Sequence, residues 1–159
     1  MKTFRRLVLV AVLVLAIAVP AYAAVTYQSG HYEGKTAQRN SEGERRKISF
    51  NANYDAGELR KIKFVSTGQC TDGGRSSGTQ GGKGSNLYAT PDDNGDFKFT
   101  VQSKNKATTL RMRGHIQGRK ANGEFKVTSR YDSQGNSDPD GSVKCTSGWV
   151  KWNAHKVES

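Results

Sequence analysis

No stretch of useful length repeats its apolar residues every three or four positions. The absence of that helical period excludes bundles and βαβ folds. Cysteine is scarce, with two residues, and so is histidine, with three. His31, His115 and His155 lack metal-ligand spacing and have no cysteine beside them. No Gly-x-Ser-x-Gly elbow occurs, and the scattered carboxylates form no recognisable acid–base pair. The chain is therefore not expected to be an enzyme, and neither a cofactor nor a metal is expected. Acidic residues are few: 14 Asp and Glu stand against 25 Lys and Arg.

The single long apolar run lies at the start. Lys2, Arg5 and Arg6 precede an apolar stretch from Leu7 to Val19, and Pro20 leads into Ala21-Tyr22-Ala23. This is the three-part pattern of a secretory signal peptide over residues 1–23, cut after Ala23. The run is shorter than the roughly 20 residues a membrane helix needs. No span is expected after cleavage, and no cysteine near the cut invites acylation. Residues 24–159 then form a single secreted β domain, extracellular or periplasmic and monomeric. Removing three basic residues leaves 22 against 14 acids, a net charge of +8. In an oxidising compartment Cys70 and Cys145 should pair, closing a loop of 75 residues (145 minus 70).

What the chain does have is strict alternation. Ile48, Phe50, Ala52 and Tyr54 alternate with Lys47, Ser49, Asn51 and Asn53. Ile62, Phe64, Ser66, Gly68 and Cys70 share one parity, with Leu59 out of phase, which predicts a bulge near Arg60-Lys61. Residues 71–86 carry no apolar side chain, so a flexible Gly-rich surface loop is expected there. Leu87–Thr90 reads as a short strand, and Phe97, Phe99 and Val101 alternate after a Pro-Asp-Asp-Asn-Gly turn. A hairpin folded about Lys120–Ala121 pairs Ile116 with Phe125 and Arg111 with Arg130. The strand after Cys145 holds both tryptophans. In all, about eight antiparallel strands are expected, in a small all-β barrel-like or sandwich domain with one disulfide.

With Gly30-x-Tyr32-x-Gly34-Lys35-Thr36, Lys47-Ile48-Ser49-Phe50 and Cys145-x-Ser147-Gly148 with Trp152 in view, the chain resembles a family of small secreted bacterial proteins of unknown function. The resemblance spans nearly all of residues 24–159. It implies a β-rich, exported protein and carries no activity, cofactor or catalytic residue.

Two motifs fail on inspection. Gly81-Gly82-Lys83-Gly84-Ser85 lacks the Ser or Thr that must follow the lysine of a phosphate loop. Asn136-x-Asp138-x-Asp140-Gly141 lacks the glutamate of a calcium loop, because Ser147 stands at its twelfth place, and reads as an Asx-rich turn. Two surfaces remain. The hairpin face offers Arg111, Arg113, His115, Lys126 and Arg130, extended at its turn by Arg119 and Lys120. Facing like charges destabilise a sheet, so this face suits an anionic envelope or extracellular polymer, such as a polysaccharide, without specific nucleic-acid readout. The plainer reading is a solvated face that keeps the protein soluble. Trp149 points outward if Ser147-Gly148 forms a bulge, and otherwise packs under a loop. An exposed Trp149 suits a carbohydrate-binding or enzyme-associated module. A purely structural or inhibitory role would use neither surface.

Overall fold

A computed structural model describes residues 26–81 and 87–158. It is all-β, with no helix and nine strands among those residues. β1 (Gly30–Arg39), β2 (Arg45–Asn53), β3 (Glu58–Cys70) and β4 (Arg75–Gln80) form an antiparallel meander. β5 (Asp96–Gln102), β6 (Thr108–Gln117) and β7 (Lys120–Tyr131) form a second. β8 (Val143–Thr146) and β9 (Val150–Lys156) run along the same edge of β7, the edge not taken by β6. They are one strand interrupted at Ser147–Trp149, where Gly148 takes φ 63°. This strand joins the meanders: β9 pairs with β1, and β8 pairs with the far end of β3. The strands β1, β2, β3, β8, β7 and β9 thus close a six-stranded barrel, with β4, β5 and β6 as additions. Closure settles the choice between barrel and sandwich. No described helix is long and apolar enough to cross a membrane. The predicted signal peptide lies outside the described residues.

The two cysteines face each other in the β3–β8 ladder and are disulfide-bonded. Beside them, Gln38 closes the gap that opens where β2 diverges from β3. Its side-chain amide donates to Thr67 O at 2.5 Å and accepts from Thr67 N at 2.9 Å, as a neighbouring peptide would. The barrel seam is therefore tied twice within a few residues.

Alternation fills the interior. Tyr32, Phe50, Phe64, Phe125 and Trp152 are buried. Tyr32 stacks on Phe50 at 5.1 Å, Trp152 packs edge-on to Phe50 at 6.1 Å, and Phe64 lies 4.2 Å from Phe125. These bulky rings need small neighbours. Gly114 and Gly123 stand opposite each other on β6 and β7, and a Cβ on either would come within 3 Å of the Trp152 ring. Gly34 lies so close to β9 that a Cβ would fall 1.8 Å from Asn153 O.

Three expectations need correction. Residues 75–80 form β4, not a loop. Its six ladder pairs with β3 come from the backbone, so the strand needs no apolar side chain. Residues 82–86 of the expected loop lie outside the described residues. Leu87–Thr90 contributes only a bridge, Ala89 to Leu59. The β6–β7 register is four residues tighter than expected: Ile116 faces Ala121, Met112 faces Phe125, and Arg111 faces Lys126, not Arg130. The turn is Gly118-Arg119 alone, with Gly118 at φ 55° supplying the left-handed first position of a tight hairpin turn. The bulge near Lys61 is present, with Lys61 itself at φ 54°.

Candidate functional site

The outer face of β5, β6, β7 and β9 carries the sequence candidates, but the tighter register redistributes them. Cross-strand pairing sets outward side chains in two rows. One row runs Lys98, Arg113, Glu124, Lys151; the other runs Asp96, His115, Asn122, Asn153. Between them lies the backbone of Phe97, Gly114, Gly123 and Trp152, whose side chains point inward or are missing. The result is an open depression of about 860 Å³ running across the strands, lined by the whole first row and by Asp96, His115 and Asn122 of the second.

The rows differ in electrostatics. In the first, Arg113 forms a two-pronged ion pair with Glu124, Nε donating at 2.6 Å. Its guanidinium also lies 4.8 Å over the Trp149 ring. Lys98, Lys151, Arg111 and Lys126 hold register positions neighbouring Arg113 and Glu124 on the same face. In the second row, His115 Nδ1 lies 2.9 Å from Asp96 Oδ1, so this histidine is matched by a carboxylate. Nearby, Asp92 Oδ1 accepts from the Asn94 and Asp96 amides and holds the preceding loop against the rim.

Trp149 and Trp152 separate as the bulge predicted. Trp149 is 45% exposed, while Trp152 is 4% exposed, with Val150 and Ala154 also buried. Two candidates read apart in the sequence, the basic face and the exposed tryptophan, thus meet at Arg113.

The remaining candidates lie away from this point. Arg119, at the hairpin turn, is ion-paired with Glu158 at 2.9 Å. Lys120 stands beside His155. Arg130 lies towards the disulfide end, facing Lys144, and donates to Gly141 O at 3.2 Å. Lys98, Lys151 and Glu124 belong to the site but were not singled out in the sequence. Their polar parity was legible, but their convergence required the sheet order. The Asn136–Gly141 segment behaves as an Asx turn, with Asp138 Oδ1 accepting from the Asp140 amide at 2.9 Å. The exposed Asp132 carboxyl sits below its ordinary pKa, held first by the Asn136 side chain and then by backbone amides.

The chain matches no family model, no curated protein and no solved structure.

Proposed function

We propose that the protein is a secreted, non-catalytic module that binds an anionic polysaccharide across the outer face of β5, β6, β7 and β9. The observation that carries this reading is the Arg113–Trp149 stack set among Lys98, Arg111, Lys126 and Lys151. A sugar ring has an apolar face that packs on an indole and an acidic substituent that pairs with a guanidinium. Glu124 holds Arg113 in place, so less side-chain freedom is lost on binding. The lysines and Arg111 draw a polyanion in and displace its counterions, which makes retention fall with salt. The depression crosses three interstrand spacings, about 14 Å, which favours a linear ligand over a compact one.

The test is retention of the oxidised protein on immobilised polygalacturonate and heparin, at low and moderate salt, beside duplex DNA and a neutral glucan. Salt-sensitive binding to the acidic glycans, lost in Arg113→Ala and weakened about tenfold (~1.4 kcal/mol) in Arg111→Ala/Lys126→Ala, supports the reading. Equal retention on DNA would replace it with unspecific phosphate neutralisation. Binding only to the neutral glucan, abolished by Trp149→Ala but indifferent to Arg111→Ala/Lys126→Ala, would favour the carbohydrate module instead. Retention on none of them would overturn both.

A further inference from the structure

The inward positions of the barrel change character towards the disulfide. On β3 they pass from Ile62 and Phe64 to Ser66 and Gly68, and on β7 from Phe125 and Val127 to Ser129 and Tyr131. β4 places Ser76, Gly78 and Gln80 opposite Gly68, Ser66 and Phe64. Ser66, Gly68, Ser129, Tyr131 and these β4 residues, with Thr108 and Ser147, line an inner space of about 100 Å³. Next to it, on the far side of Ser76 and Tyr131, a wider space of about 500 Å³ opens between Arg75, Asp72 and Asp132. The two spaces share Ser76, Ser77, Tyr131 and Cys145 as lining, and a 3.0 Å hydrogen bond between Ser76 Oγ and Tyr131 OH lies at their junction.

A barrel interior built for stability alone would be apolar here. Buried hydroxyls cost free energy unless their hydrogen bonds are made. Ser66 and Ser129 are only 4% and 7% exposed. Each hydroxyl can donate once and accept twice. Among the described residues, Ser66 Oγ accepts one bond, from Gln80 Nε2 at 3.4 Å, and Ser129 Oγ shares one with Thr108 Oγ1 at 3.0 Å. Most of their capacity is left for whatever fills the space. The only titratable side chain among the described residues lining the inner space is the Tyr131 phenol, so the complement is uncharged. The inner space, at about 100 Å³, has room for roughly three waters, or one three-carbon triol, at ~30 Å³ per water.

We propose that this cleft binds a small neutral polyhydroxy compound, a polyol or the hydroxymethyl end of a neutral sugar whose ring occupies the outer space. The Ser66 and Ser129 hydroxyls exchange hydrogen bonds with the ligand's hydroxyls, and the Tyr131 ring and the disulfide cover its carbon skeleton. This site is separate from the Arg113–Trp149 surface and does not depend on it.

Amide-resolved NMR titration of the oxidised protein tests the proposal, with glycerol, glucose and gluconate each taken to about 0.1 M, a hundredfold above a ~1 mM affinity. Glycerol or glucose should shift the amides of Ser66, Ser129 and Tyr131 saturably, and gluconate should do so at least tenfold more weakly. Glucose binding more tightly than glycerol would assign the outer space to the sugar ring; the reverse order would assign a free polyol. Ser129→Val puts two methyl groups into the inner space and should abolish the shifts in a protein that stays folded, with the melting temperature slightly lowered because Thr108 Oγ1 loses its partner. Arg113→Ala should leave the shifts unchanged. No saturable shift with either neutral compound, or shifts that survive Ser129→Val, would overturn the proposal and leave the space to water.

Discussion

Towards the Gly118 turn, the inward face of the sheet carries Tyr32, Phe50, Phe97 and Trp152; towards Cys70 and Cys145 the same sheet carries Ser66, Ser76, Ser129 and Tyr131. Both ends obey a period of two, and both are paired by the same kind of ladder. They differ in what holds them. The aromatic end is held by ring packing against the glycine pair, and each large ring removed from water is worth a few kcal/mol. The hydroxyl end has little apolar surface to bury, and it is there that the chain places its disulfide and the Gln38 clamp. Covalent and polar ties take over where hydrophobic burial runs out, which leaves an interior free to meet a polar ligand.

Trp152→Ala should have the largest effect, because it removes the ring that packs on Phe50, Gly114 and Gly123. A loss of about 4–5 kcal/mol is expected in denaturant unfolding, the upper part of the range for large-to-small aromatic truncations. A loss under about 2 kcal/mol would mean that the aromatic end does not dominate stability. Replacing Cys70 and Cys145 by serine releases a loop of 75 residues and should cost about 4 kcal/mol on the chain-entropy account. The sharper readout is local. Amide exchange should accelerate at residues 66–70 and 143–146 well before residues 32–36 and 150–154, and uniform acceleration would erase the contrast between the ends.

Alkaline pH should act on the aromatic end. Burial raises the phenol pKa of Tyr27 and Tyr32 above the ordinary 10.0. Above pH 10 the unfolded chain then loses these protons before the folded one does. The stability they contribute is complete below that pH and declines as pH rises through the raised folded values. Phenolate absorbance and unfolding free energy recorded together from pH 9 upward check this; stability that is flat across the phenol titration would contradict it. The smallest effect belongs to the outer surface. Trp149→Ala removes an exposed ring and its contact with Arg113. It should change stability by about 0.5–1 kcal/mol, the scale of an exposed cation–π pair. A larger loss would make Trp149 part of the fold instead of a ligand platform.

Much of this was visible in the residues. The alternation of Ile48, Phe50 and Ala52 gave a buried face, and the out-of-phase Leu59 marked the bulge at Lys61. The inward phase of the β6–β7 hairpin survived a wrong register, since a slip of four residues preserves side-chain parity. The register itself was not legible. Gly118 and Gly123 both invited a turn, and only packing of Trp152 against Gly114 and Gly123 assigns the second glycine to the strand. β4 gave no signal because it is held by backbone bonds and carries no apolar residue. Ser66 and Ser129 sat in plain sight on the core parity; that they line a space with unused hydrogen-bonding capacity depends on β4, which the residues did not announce. The meeting of Arg113 with Trp149 depends on sheet order, which alternation does not encode.

The position of the last strand has a consequence for how the molecule is made. β9 pairs with β1, bringing Trp152 beside Thr36 across 116 positions (152 minus 36), while β8 carries the cysteine that meets Cys70. A chain emerging from its amino terminus can form the β1–β4 and β5–β7 meanders from neighbouring segments. Until residues 143–156 arrive, those meanders have no common edge, the aromatic end lacks its tryptophan and the seam has one sulfur. Arrival of residues 143–156 and closure of the barrel are therefore coupled events, with the longest loops closed last.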